Sequence, residues 1–126
     1  MKRFKILLPA MLLLATFAVL QMSCDNDQVL DNAKGVLATS KATWQDFQDV
    51  AAKLYMDGKI TEAQWHEFIL IDAKYRASHN TAVSALKVYE QVRSKPAEQA
   101  VFAALAELDT IIATTADLIR AWKGGA

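Results

Sequence analysis

Apolar residues recur every seven positions along two of three long stretches of this chain, and that spacing calls for amphipathic helices packed side by side. In the first stretch Leu30, Leu37, Trp44 and Ala51 form one row and Ala33, Ser40, Phe47 and Leu54 a second. Val29, Val36 and Val50 form a third row, interrupted by Thr43. Three rows per heptad make a face wider than the seam of a dimeric coiled coil. The last stretch has the cleanest pattern, with rows Val101–Leu108–Thr115–Trp122, Ala104–Ile111–Leu118 and Leu105–Ile112–Ile119. Between them, Trp65, Phe68, Ile69, Ile71, Tyr75, Ala82, Ala85, Leu86, Tyr89 and Val92 mark the buried side of a middle helix. Its centre is more polar, because Asp72 and His79 share a row with Trp65 and Leu86.

The breaks between these stretches are local. In Asp57-Gly58-Lys59, Gly58 suits the left-handed residue that ends a helix. Thr61 then fits an N-cap, Gln64 completes a capping box, and Ile60 and Trp65 occupy the staple positions of the same motif. Ser94-Lys95-Pro96 ends the middle helix, since Pro96 has no amide and clashes with a continuing helix. Gly124 and Gly125 stop the last one. Only four Gly and two Pro occur in 126 residues, and helix formers dominate. The expected fold is all-α: an up-down-up antiparallel three-helix bundle over 29–126, with helices near 29–56, 62–93 and 96–123. Asp25, Asn26, Asp27 or Asp31 is expected to cap the first helix. Gly35 weakens its first turns by about 1 kcal/mol relative to Ala. In layers, Leu54, Trp65 and Trp122 are expected at one end, Trp44, Tyr75 and Ile111 in the middle, and Val36, Tyr89 and Val101 at the other.

Ahead of the bundle, Lys2, Arg3 and Lys5 precede Ile6–Leu20, fifteen residues without a charge. A basic head, a short apolar body and a small residue before a cut form the pattern of a secretory signal peptide over residues 1–23. The apolar body is short for a bilayer core of ~30 Å, so cleavage is favoured over a permanent span. Cys24, the sole cysteine, cannot form an internal disulfide. With Ser23 before it and Asp25-Asn26-Asp27 after it, this cysteine resembles the lipobox cysteine of bacterial lipoprotein precursors, although Gln21 stands where that class prefers an apolar residue. The resemblance covers residues 1–25. It implies that the Cys24 thiol receives a diacylglyceryl group, that the chain is cut before it, and that the new amine is acylated with a palmitate-like chain. A free thiol behind an ordinary cut or on an uncleaved anchor is the other reading, for which Gln21-Met22-Ser23 is a poor site. Two or three acyl chains hold a small domain on a membrane where one binds only marginally. The resemblance thus implies a lipid-anchored protein of the bacterial envelope, with residues 24–28 as a tether. Asp25 resembles the signal that favours the periplasmic face of the inner membrane over the outer membrane.

Without the leader, 103 residues remain, enough for one domain. Eleven bases then face fourteen acids, a net charge of −3. Such a domain has no electrostatic footprint for nucleic acid and no basic block for a polyanion. Asp57-Gly58-Lys59-Ile60-Thr61 resembles the middle of an EF-hand loop, but Lys53, Tyr55 and Gln64 stand where ligands belong.

Three groups merit weighing as sites. Asp72, Tyr75 and His79 share a helix face near Ser40 and Thr115. This buried polar cluster is either an acid–base or ligand site, since His titrates near neutrality, or a hydrogen-bonded plug that sets helix register. The second is favoured, because no nucleophile or second acid joins the group. Glu62 and His66, one turn apart, are too few for a zinc site, which needs three or four ligands. The tryptophans and tyrosines are either core or the lining of a ligand cavity. No catalytic set, phosphate-cradling loop or Cys/His cluster is present, and no cofactor is called for. The expected function is therefore non-catalytic: an envelope lipoprotein that binds a protein partner or forms a homo-oligomer. The alternatives are a small-molecule or cofactor carrier with an aromatic interhelical cavity, a hydrolase or lyase using His79 with Asp72, and a phage or plasmid exclusion-type surface lipoprotein.

Overall fold

The computed structural model describes residues 26–124, with side chains from Gln28 onward. They form α1 (Asn26–Met56), α2 (Glu62–Val92) and α3 (Lys95–Lys123). At 1.5 Å per residue each helix is about 45 Å long, and the three pack against one another as an all-α three-helix bundle. The leader, Cys24 and Asp25 lie outside the described residues. No helix among the described residues is long and apolar enough to cross a membrane.

The heptad rows of α1 and α3 become the core. Leu30, Leu37, Trp44, Ala51, Ala33, Phe47 and Leu54 are all buried, and Ser40 with them. On α3, eleven residues are buried, including Leu105, Leu108, Ile112 and Ile119. On α2 six are: Phe68, Tyr75, Ser78, Ala82, Leu86 and Tyr89. The buried face of α2 is thus the narrowest of the three. This overturns the expectation for Ile69 and Val92, which are 43% and 58% exposed. Ile69 lies 100° around the helix from Phe68, beyond what α1 and α3 cover. The α2–α3 pair packs most extensively and the α1–α2 pair least.

Two boundaries differ from expectation. α1 already includes Asn26, inside the segment expected to be a tether, because nothing between Asn26 and Leu30 breaks a helix. Asp31, one of the expected caps, is an exposed residue within α1. The first turn forms as expected. Gly58 adopts φ 71°, and the Lys59 amide donates to the Leu54 carbonyl at 2.8 Å. Thr61 Oγ1 accepts from the Gln64 amide at 3.1 Å while Gln64 Oε1 accepts from the Thr61 amide at 2.8 Å, and Ile60 is buried beneath them.

The second junction works differently. α2 ends at Val92 and Arg93 closes it in the left-handed conformation, φ 54° and ψ 31°, its amide donating to the Tyr89 carbonyl at 2.9 Å. Ser94 caps α3, its Oγ accepting from the Ala97 amide at 3.2 Å. Pro96 therefore sits in the first turn of α3, where its missing amide costs nothing, and does not itself break α2. A left-handed residue other than glycine costs about 1–2 kcal/mol. The Arg93 guanidinium, 5.8 Å from the Tyr89 ring centroid, offsets part of that by a cation–π contact. Arg93→Gly is expected to leave stability within about 1 kcal/mol of the parent, whereas the β-branched Arg93→Val is expected to lose about 1–2 kcal/mol. Urea denaturation of the pair reads the difference. Equal losses would show that the side chain, and not the backbone, matters at this position.

Candidate functional site

The polar side chains gather where α1 faces α2. Asp72, a partly exposed residue of α2, is the hub. Trp44 Nε1 donates to its Oδ1 at 2.6 Å, Gln48 Nε2 donates to the same oxygen at 3.0 Å, and Arg76 Nε donates to Oδ2 at 2.8 Å. The Arg76 contact follows from the i, i+4 geometry of a helix. The other two require α1 and α2 to meet in one register.

That register is set by stacked rings. The Trp44 indole lies between Tyr75, with centroids 4.4 Å apart and planes at 4°, and Phe68, at 5.7 Å and 10°. Trp65 continues the stack from Phe68 to Tyr55. Ser40 Oγ donates to the Leu37 carbonyl at 3.0 Å. Its single proton is thereby used, so across the 3.2 Å contact between them the Tyr75 hydroxyl donates to Ser40 Oγ. Burial, opposed by the Ser40 hydrogen bond and reinforced by the Asp72 charge, raises the Tyr75 pKa and keeps the phenol protonated.

His79 lies one turn further along α2, its ring 5.8 Å from Tyr75 and tilted by 40°. Its Nε2 is shielded from solvent and has no hydrogen-bond partner. Burial, together with the nearby charge of Lys41, lowers its pKa below the ordinary 6.5, so the imidazole is neutral at pH 7. Asp72 and His79 share no hydrogen bond, and the carboxylate is already engaged by Trp44, Gln48 and Arg76. An acid–base pair between them is not assembled.

Four of the five residues expected to form the polar cluster therefore meet in a chain of contacts: Ser40, Tyr75, His79 and, through Trp44, Asp72. Thr115 makes its hydrogen bond elsewhere. It is fully buried on α3, but its Oγ1 donates to the Ile111 carbonyl at 2.7 Å, the back-bond open to any helical threonine. Glu62 and His66 are both exposed, and no three His, Cys, Asp or Glu among the described residues are placed to hold a metal ion.

The expected aromatic cavity takes another form. A groove of about 400 Å³ runs between α1 and α2, with Trp44 and Tyr75 as its back wall. Lys41, Gln45 and Gln48 line it from α1, and Arg76, His79 and Asn80 from α2. The groove is open, and six of its eight lining residues are polar. Sequence reasoning missed these flanking polar residues. The spacing of Lys41, Gln45 and Gln48 at i, i+4 and i+7 and of Arg76 and Asn80 at i, i+4 places each set on one helix face. Only the tertiary register shows that the two faces confront each other. No family model matches the chain, and comparison with curated proteins and with solved structures likewise gives no match.

Proposed function

We propose that this protein is a small, non-catalytic binding and assembly module of the bacterial envelope, held on the membrane by acyl chains on Cys24. The observation that carries the assembly part is where the apolar surface falls. Among the described residues, the large apolar side chains left exposed are Tyr55, Met56, Ile69, Leu70, Val88 and Val92. All belong to α2 or the last turn of α1, and α3 contributes none. On α2 they flank a stripe without charge, Leu70–Ala73–Ala77–Ser84–Val88. Exposed apolar residues gathered on one side mark interaction surfaces more often than scattered ones do. The anchor is supported by the lipobox-like sequence at Cys24, and the inner membrane by Asp25 beside it.

Two measurements test the two parts. In cells making the full chain, the protein is expected in the membrane fraction, with an intact mass that shows cleavage before Cys24 and added acyl chains. Cys24→Ser is expected to abolish palmitate labelling and release the protein from membranes, since removing all chains removes ~0.8 kcal/mol per buried CH₂. Unaltered fractionation and labelling of Cys24→Ser would refute the anchor. For assembly, protein extracted in mild detergent is expected to sediment above monomer mass, and Leu70→Glu/Val88→Glu to sediment as monomer. A wild-type protein that stays monomeric and carries no envelope component argues against an assembly role.

A further inference from the structure

The α1–α2 groove holds polar chemistry that the bundle does not use. Its neighbouring carboxylate, Asp72, is spent on Trp44, Gln48 and Arg76. Asp72 engages Arg76 only through Nε, which fixes the guanidinium and leaves its two terminal nitrogens uncommitted. Lys41 has no ion pair or hydrogen bond among the described residues, nor do the Gln45 and Asn80 side chains. The groove wall thus bears two cations and no acid, on a domain whose overall charge without its leader is −3.

An arginine steadied by a carboxylate behind it and free at its fork is suited to bind an oxyanion through two parallel hydrogen bonds. A lysine beside it adds a point charge, and amide side chains add orienting donors and acceptors. His79, neutral, adds no third charge. The volume is that of a small-molecule site. Because both faces of Trp44 are covered by Tyr75 and Phe68, the back wall offers no indole face on which an aromatic ligand can stack.

We propose that this groove binds a small oxyanion, a carboxylate or phosphate group on a polar body without an aromatic ring, held between the Lys41 ammonium and the Arg76 guanidinium. The site stands independently of acylation and of assembly. Its chemistry fits a soluble metabolite and an anionic lipid headgroup alike.

The test is a titration of the full chain, isotopically labelled and purified in micelles of neutral detergent, followed through its backbone amide signals. The probes are inorganic phosphate, glycerol 3-phosphate and phosphatidylglycerol in nanodiscs, each against chloride at matched ionic strength. Saturable shifts are expected at Lys41, Gln45, Arg76 and Asn80. Lys41→Gln and Arg76→Gln are each expected to weaken binding about tenfold or more, the loss of one hydrogen bond to a charged group, while Lys34→Gln, on an exposed part of α1, leaves it unchanged. The Lys41 and Lys34 side chains are both exposed, so neither variant threatens the fold. Saturation by glycerol 3-phosphate without the discs assigns a soluble source, and saturation by the discs without glycerol 3-phosphate a headgroup; either supports the site. No saturable shift with any probe overturns the proposal, and so does an equal loss in Lys41→Gln and Lys34→Gln, which would reduce the effect to general surface charge.

Discussion

Trp44→Ala is expected to lower the stability of the bundle by about 3–5 kcal/mol. Trp44 is 2% exposed, packs both faces of its indole against Tyr75 and Phe68, and meets Phe47 edge-on with centroids 5.7 Å apart. Truncation leaves a cavity that the two long helices around it cannot collapse to fill. It also removes the shortest donor to Asp72, at 2.6 Å. Domains of this size have about 5–15 kcal/mol of stability in all, so a fifth or more is at stake in one side chain. Trp44→Phe separates the two contributions. It keeps a smaller aromatic ring in the stack and removes Nε1 with part of the indole, and is expected to cost about 1–3 kcal/mol: a hydrogen bond to a charged group, discounted because the Asp72 side chain, 17% exposed, regains some water, and the packing of the lost ring atoms. The midpoint of urea denaturation by circular dichroism, at unchanged slope, reads both. A loss below about 1 kcal/mol for Trp44→Ala is incompatible with a fully packed indole.

Asp109→Leu is expected to act in the opposite direction. Asp109 is on α3, 8% exposed, and its Oδ1 is shielded from solvent without a hydrogen-bond partner. Burial raises its pKa above the ordinary 3.8. A native pKa above the unfolded one means that the fold holds this proton more tightly than the unfolded chain does. The stabilisation is fully present below the unfolded value and is lost as pH rises through the native one. Above that native value the carboxylate is charged in both states and the fold bears the whole cost of keeping it. Leucine removes an unpaired polar group in exchange for a bulkier side chain, and a net gain of about 1–3 kcal/mol at pH above that value is expected. The gain shrinks as pH falls through the native pKa of Asp109, because there the parent becomes neutral as well. Denaturation midpoints of parent and Asp109→Leu measured across that range check the sign. A difference independent of pH would assign the gain to packing alone.

How far the fold was legible depended on how many neighbours each residue needed. The rows of α1 and α3 are wide enough to bury against two helices, and every member named in them is buried or packed at the edge of the core. In α2 the same method named more apolar residues than two neighbours can cover, and Ile69 and Val92 fell outside. The Gly58 turn was readable because its capping box is a matter of four adjacent residues. The Arg93 turn was not, because arginine carries no left-handed preference and Pro96 nearby offered a more obvious breaker. At the site, the helical spacing of Asp72, Tyr75 and His79 was plain, and counting layers brought Ser40 to Tyr75. The bonds from Trp44 and Gln48 to Asp72 depend on register between helices to within one turn, which heptad rows leave open. Thr115 does not bond to the cluster because a threonine has the option of satisfying itself on its own backbone.

The unequal packing of the three helices has a directional consequence. α2 and α3 are joined by two residues and share the broadest contact, so they behave as a closed hairpin against which α1 is laid. The bundle is therefore stiff along one side and yielding along the other, and the yielding side is where α1 meets α2. α1 is also the helix that follows Cys24 in the sequence. A pull on the N-terminal end enters through the least firmly held of the three rods and bears first on the joint that contains the Trp44 stack. An oxyanion bound in the cleft beside that joint, as proposed, would clasp the two rods together, so its grip and the mechanical strength of the domain would rise and fall as one.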